Sequence, residues 1–415
     1  MRIAVVAPTY LPSRRANTIQ VMKVCQALIV LGHSVRLAVP LPCSLSSELE
    51  EGFLPLPSRS EHGEFLWEAI AEHYGLQHRF DIEWLPAAQP WRSYDFALRV
   101  VLWARRWAAE LLYTRHPQTA ALASLLGMAT ILEVHDLPQR KMARGLLRLF
   151  CMGRGARRLV VISQALATEL SNRLRLASSA AGFLLVAPDG VDLRRYANLP
   201  QPWEARQRLL FLGTIQPPLP PERFTAGYSG HLYPGRGIEL LLAMAKQLSH
   251  ISFLIVGGEP MQVERLRAQV SQAGLQNVFV SGFVPNAYLP LYQAACDVLL
   301  MPYQPHVSAS SGGDIAPYLS PMKAFEYLAC GRVILSSDLA VLREVLNERN
   351  AILLPPEDKN AWITALQTVA SDPQRTMNLA EQARRDSQQY AWEARMQRIL
   401  DGIRVDTQKA ARVGS

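Results

Sequence analysis

What most restricts the fold of this chain is a phrase repeated along it. An apolar run ends on glycine or proline, a loop follows, and then comes a segment with helical spacing. "RIAVVAP" opens the pattern, "TIQVMKVCQALIVLG" follows with a 3.6-residue apolar period and closes on Gly32, and "HSVRLAVP" begins the next run. Strand, loop, helix and strand in that order build a parallel sheet covered by helices on both faces. "ELLYTRHP", "TILEVHD", "RRLVVIS" and "GFLLVAPDGVD" continue the pattern in the first half. "FTAGYSG", "SFLIVGG", "VFVSGFVP", "DVLLMPY", "RVILSSD" and "NAILLPP" repeat it in the second.

The expected class is therefore α/β, with two Rossmann-like, doubly wound parallel-sheet domains over residues 1–198 and 225–380. A length of 415 residues agrees with two domains. The Pro-rich stretch 199–224 reads as the linker, and its apolar middle, "RLLFLGTI", as a small strand. Residues 41–95, with Trp67, Trp84 and Trp91, have no clear period and read as an elaboration of the first domain. Residues 381–403 read as a last helix before a frayed tail.

Hydrophobic residues at 49% and charged residues at 19% describe a soluble protein with material for two cores. No run approaches the roughly 18 apolar residues that would span a bilayer. "MRIAVVAPTY" reads as a buried first strand rather than a signal peptide, so a cytoplasmic location is expected. The five cysteines, Cys25, Cys43, Cys151, Cys296 and Cys330, are odd in number and form no CxxC pair, which predicts reduced thiols and no zinc site.

The net charge of +8 is unevenly placed: residues 92–175 hold 14 basic against 5 acidic residues. Anionic lipid, nucleic acid, a phosphorylated substrate and a plain solvated surface all satisfy that pattern. Within "PQRKMARGLLRLF", Arg140, Arg144 and Arg148 repeat every four residues beside apolar faces. Such a basic amphipathic helix suits an anionic membrane surface on the cytoplasmic face, or an ordinary solvated arginine stripe. No nucleic-acid partner is expected.

Ligands of open α/β sheets lie at the carboxyl ends of the strands. There "SGHLYPGRGIELLL" offers Gly230, Gly235, Arg236 and Gly237 before a helix. The spacing approaches a P-loop but lacks its lysine and hydroxyl, which excludes an ATPase of that type. A diphosphate cradle and a structural turn both remain open. "SPMKAFEYLACG" places Pro321 in a first helical turn, Lys323 near the helix dipole's positive end, and Glu326 three residues on. The pair is either a solvated i,i+3 contact or a site for an anion and two hydroxyls. Arg14, Arg15 and Asn17, in the loop after the first strand, and Arg115 and His116, which end another strand on the same rim, read as acceptor or phosphate contacts or as plain surface. No DxD, HExxH or GxSxG occurs.

Taken in order, "SGHLYPGRGIELLL", "FLIVGG", "VFVSGFVPNAYLPLYQAACDVLLMPY" and "SPMKAFEYLACGRVILSSD" resemble the nucleotide-sugar domain of the group 1 (family 4) glycosyltransferases. "SRRANTIQVMKVCQAL", "EVHDLP", "LVVISQAL" and "APDGVD" extend the resemblance over most of the chain. It implies the GT-B fold, with two domains facing a central cleft and the last helix packed back on the first domain. It also implies retaining, metal-independent hexosyl transfer without a cofactor. The donor would be a UDP- or GDP-sugar, and the acceptor a glycan or lipid-linked molecule of cell-surface polysaccharide or glycolipid synthesis. By the same resemblance Glu326 takes ribose hydroxyls, and Arg236 and Lys323 take the diphosphate. The backbone at Phe283 and Val284 takes the base, and His135 faces the transferred sugar. Two positions depart from the family: Tyr318 stands where a second glutamate is usual, and His231 where an arginine is usual in the phosphate loop. Asp314, in a Gly-rich loop, is the candidate for the missing sugar contact. A GT-B sugar-nucleotide epimerase and a non-catalytic nucleotide-sugar-binding regulator are the rival readings.

Overall fold

The structure, a computed structural model, describes residues 1–41, 63–88, 91–174, 182–308 and 313–404. Cys43 and part of the 41–95 region lie outside them. The chain divides into two compact units, Met1–Pro188 with Trp392–Ser415, and Asp189–Ala391.

The first unit holds seven parallel strands: β1 (Arg2–Val6), β2 (Ser34–Pro40), β3 (Asp81–Leu85), β4 (Leu111–Thr114), β5 (Thr130–Val134), β6 (Ala156–Val161) and β7 (Leu184–Val186). Their order is β3-β2-β1-β4-β5-β6-β7. The second unit holds β8 (Thr225–Ser229), β9 (Ser252–Val256), β10 (Val278–Gly282), β11 (Val298–Met301), β12 (Val333–Ser337) and β13 (Ile352–Leu354), in the order β10-β9-β8-β11-β12-β13. Both are Rossmann-like sheets, and the inner strands are apolar along their length because helices cover both faces. The order reverses between β1 and β4 in one unit and between β8 and β11 in the other. Loops leaving these neighbouring strands run to opposite faces and open a crevice at the carboxyl edge. Each crevice holds a cluster of polar groups described below.

Four expectations change. Residues 199–224, expected as the linker between the domains, belong to the second unit. "RLLFLGTI" is no strand, since Pro202–Leu212 is a helix. A capping box between Gln201 and Glu204 starts it, and Gly213, at φ +63°, ends it. Arg206 anchors it, pairing with Asp297 at 2.8 Å and donating to the Pro221 carbonyl. Residues 381–403 are not one helix: Pro373–Ser387 stays in the second unit, while Trp392–Leu400 belongs to the first. The 41–95 region supplies a helix, Gly63–Tyr74, and the edge strand β3.

Cys25, Cys296 and Cys330 are buried free thiols and Cys151 is half-buried. Among the described residues no helix is long and apolar enough to cross a membrane.

Candidate functional site

In the second unit, β8 ends at Ser229 and leads through Gly230 to the helix Ile238–Gln247. Gly230 (φ +141°) must be glycine for two reasons. L side chains avoid that backbone, and a Cβ there would lie 2.7 Å from Lys323 Nζ. Gly237, at φ +80°, caps the helix with its backbone pressed on the Pro302 carbonyl, and no side chain caps that N-terminus.

Lys323 is the second residue of the helix Met322–Cys330, whose N-cap is Pro321 and whose N-terminus also lacks a side-chain cap. Its ammonium lies 3.8 Å from the centre of the Tyr228 ring and 5.4 Å from that of Tyr303. Nζ is shielded from solvent and has no hydrogen-bond partner. The solvated Lys323–Glu326 pair is therefore not what forms. Burial, then the charge of Arg236, push the lysine well below its usual pKa, with Glu326 opposing. Arg236 lies 5.1 Å from the Tyr303 ring centre, and its Nε is likewise shielded and unpartnered. The Tyr228 hydroxyl donates to the His231 carbonyl at 2.6 Å, which fixes the ring under the lysine. The His231 ring stacks on Tyr233.

One turn along, Glu326 is half-buried. Gln293 Nε2 donates to its Oε2 at 3.0 Å and to Ser229 Oγ at 3.0 Å, while Gln293 Oε1 accepts from Tyr196 at 2.8 Å. The carboxylate is thus oriented by a buried amide and keeps Oε1 for a ligand. Two cations without carboxylate partners, two uncapped helix N-termini and an aimed carboxylate have the chemistry that suits a polyanion joined to hydroxyl groups.

Other candidates fall around this cluster. Phe283 and Val284 directly follow β10. Tyr318 ends a short 3-10 turn, Ala316–Tyr318, ahead of the Lys323 helix. Asp314 ties its own loop: Oδ1 accepts from the amides of Val307 and Ala316 at 2.9 Å each, and Oδ2 meets His306 Nδ1 at 2.8 Å. The backbone hydrogen bond from Val307, then His306, hold its carboxyl below the usual range.

In the first unit, Arg14, Arg15 and Asn17 follow β1, Arg115 follows β4 and His135 follows β5. Arg15 and Asn17 are exposed, and Arg15 is the N-cap of the helix Ala16–Val30. The neighbouring Ser13 backbone is pinned by Tyr74 Oη at 2.7 and 3.2 Å. His116, expected on the same rim, is instead a buried cap bonded to Thr119, and burial pushes its pKa down to about 4. His135 Nε2 bonds to Glu133, and Arg115 Nη1 donates to Gln20 Oε1 at 3.2 Å. Gln20 Nε2 donates in turn to Glu133 Oε1 at 2.6 Å. The sequence did not point to Gln20, Glu133, Tyr228, Gln293 or Tyr303. The one signal available for any of them was a glutamate inside the strand "TILEVHD".

The family model described as glycosyl transferases group 1 matches residues 223–372. D-inositol 3-phosphate glycosyltransferase of Xylanimonas cellulosilytica is 24% identical over 356 residues, 83% of this chain and 74% of its own length. 2-Deoxystreptamine N-acetyl-D-glucosaminyltransferase of Streptomyces fradiae is 29% identical over 219 residues, 51% of this chain and 46% of its own. Among solved structures, Anabaena HepE in complex with UDP and glucose aligns with a TM-score of 0.69 at 17% identity, covering 97% of this chain and 100% of that one. Sucrose-phosphate synthase of Thermosynechococcus elongatus aligns at 0.65 and 19%, covering 95% and 96%.

The buried, unpartnered amine gives a direct expectation. Below the folded pKa of Lys323 both states hold its proton; above it only the unfolded chain does. Ligand-free stability should therefore rise with pH through that window until the unfolded lysine titrates near about 10.4. Lys323→Met should flatten this rise and lift the ligand-free Tm at neutral pH by roughly 2–4 °C, the shift of about 1 kcal/mol. Inorganic pyrophosphate should stabilise the wild type and not the variant. A lower Tm for the variant, or equal stabilisation of both, would contradict the reading of the site.

Proposed function

For a chain that belongs to the group 1 glycosyltransferases, we propose retaining, metal-independent transfer of a hexose from a UDP- or GDP-sugar. The acceptor is a glycan or a lipid-linked molecule of cell-surface polysaccharide or glycolipid synthesis. The observation that carries the reading is the unpartnered Lys323 ammonium beside Arg236, one helical turn from a carboxylate held by Gln293. Lys323, Arg236 and the amides at Gly237 and Met322 receive the diphosphate, whose charge grows as the glycosidic bond breaks. Glu326 accepts from the two ribose hydroxyls, the backbone at Phe283 and Val284 holds the base, and His231 and Tyr318 border the donor. The first unit contributes His135 to the transferred sugar and Arg14, Arg15, Asn17 and Arg115 to the acceptor. The departing phosphate oxygen takes the acceptor's proton as the new bond forms on the same face. Asp314 serves by shaping its loop, since both of its oxygens are engaged there.

Glu326→Gln keeps the volume and loses the charge-assisted bonds, so affinity for a nucleoside should fall about tenfold or more. Lys323→Ala should weaken a nucleoside diphosphate far more than the nucleoside. Calorimetric affinities of uridine and UDP for both variants make the comparison. Equal losses for both ligands in the lysine variant, or an unchanged nucleoside affinity in the glutamate variant, would defeat the assignment.

We further propose that no metal ion or other cofactor takes part, because the two cations and the helix dipoles supply the positive charge. Turnover should be unchanged in EDTA. Loss of activity restored by magnesium or manganese would reject this.

A basic, apolar face of the first unit supports docking on an anionic membrane. The helix Arg92–Arg106 exposes Tyr94, Leu98 and Leu102, and the helix Lys141–Met152 exposes Met142, Leu149 and Met152. Tyr94 Oη reaches Met142 Sδ at 3.2 Å, joining the two rows. Arg144 and Arg148 lie on the second helix, with Arg140 as its N-cap, and all three are exposed. Apolar side chains flanked by arginines suit the boundary between acyl chains and anionic headgroups. Binding to vesicles containing phosphatidylglycerol, but not to pure phosphatidylcholine, should fall with salt and with glutamine at 140, 144 and 148. Equal binding to neutral vesicles, or none to either, would refute it.

A further inference from the structure

Among its described residues the first unit contains one fully buried ion pair, and it lies directly behind His135. Arg395, on the helix Trp392–Leu400, is fully buried in the first unit. Its Nη2 donates to Glu133 Oε1 at 2.9 Å and its Nη1 to Oε2 at 3.4 Å. The remaining donors are also engaged: Nε with the Pro188 carbonyl at 2.7 Å, Nη2 with the Ala187 carbonyl at 3.0 Å and Nη1 with the Tyr113 hydroxyl at 3.4 Å. Glu133 lies inside β5, equally buried, where its side chain interrupts an otherwise apolar strand. Its Oε1 also accepts from Gln20 Nε2 and meets His135 Nε2.

These contacts decide where a hydrogen lies. Burial by itself would drive a proton onto the glutamate, but the charges of Arg395 and then His135, with their hydrogen bonds, outweigh it and hold the carboxyl at about 2. An ionised carboxylate only accepts. The hydrogen shared with His135 therefore belongs to Nε2, which leaves Nδ1 as the accepting nitrogen of the neutral ring.

We propose that Arg395 is a positioning residue that acts on His135 through Glu133. It keeps the glutamate an acceptor, and the glutamate fixes the ring as its Nε2–H tautomer with one orientation. The last described helix thereby does more than cover the sheet, because its arginine prepares the imidazole that the first unit offers. This rests on the assignment of His135 to the transferred sugar, toward which an unprotonated Nδ1 acts as an acceptor rather than a donor.

Long-range proton–nitrogen NMR on the full chain with 15N-labelled histidine tests it. The His135 signals are identified by their absence in His135→Ala. In the neutral ring the wild type should show a protonated Nε2 and an unprotonated Nδ1. Glu133→Gln, of equal volume, should lose this preference and show a mixture or the opposite tautomer. Arg395→Lys, which keeps the charge, should retain the wild-type pattern, whereas Arg395→Met should lose it. Far-UV circular dichroism selects the folded variants, and the isosteric Glu133→Gln decides the question if the methionine variant does not fold. A wild-type Nδ1–H ring, or an unchanged tautomer in folded Glu133→Gln, would overturn the proposal. Full turnover in His135→Ala would instead remove the assignment of His135 while leaving the positioning by Arg395 intact, so the two failures are distinct.

Discussion

A primary amine buried against two tyrosine rings with no acceptor is the constraint around which the second unit is arranged. Attraction to the Tyr228 face offsets part of the cost of taking Lys323 out of water, by about 2 kcal/mol when the cation is desolvated. The surroundings then follow. Residue 230 has no room for a side chain beside Nζ, and the Tyr228 hydroxyl must be anchored on His231 to hold its ring in place. Arg236 adds a second positive charge where electrostatics alone would place a carboxylate. Strained, uncompensated charge of this kind collects where a ligand completes it.

The first unit treats buried charge in the opposite way. Glu133 and Arg395 satisfy one another, and neighbouring carbonyls and the Gln20 amide take up further hydrogen-bonding capacity. Buried pairs of this kind add little net stability compared with a well-packed apolar pair, but losing one partner leaves an uncompensated charge. Such a pair is rigid, which suits a support for a neighbouring ring. One unit thus leaves cations open for a ligand, while the other closes its charges to fix a side chain.

Much of this was legible in the chain, because buried parallel strands are short apolar runs that end at Gly or Pro, as β1, β9 and β11 do. β3 escaped because "DIEWL" mixes charge into an edge strand that has a neighbour on one side only. Helix Pro202–Leu212 resembles linker and strand in sequence because prolines flank the apolar run "LLFL", although Gln201, Glu204 and Gly213 mark both of its ends. Lys323 and Glu326 stood out by their spacing on one helix. Their supports did not: Gln293 lies 33 residues from Glu326, and Arg395 lies 262 from Glu133, so no local pattern links them. Asp314 attracted notice for its glycine-rich setting, which the structure explains by loop closure onto Val307 and Ala316.

Under the proposed function, Lys323 gains a partner for its proton when a diphosphate binds. Proton uptake on binding measures this directly. UDP is titrated into the protein by calorimetry in buffers of different ionisation enthalpy at about pH 8, where the diphosphate is already fully ionised, the uracil ring still neutral and a normal lysine still charged. The wild type should take up a fraction of a proton as UDP binds, because the phosphate restores the charged amine, and Lys323→Met should take up none. The same proton count in both proteins would contradict it.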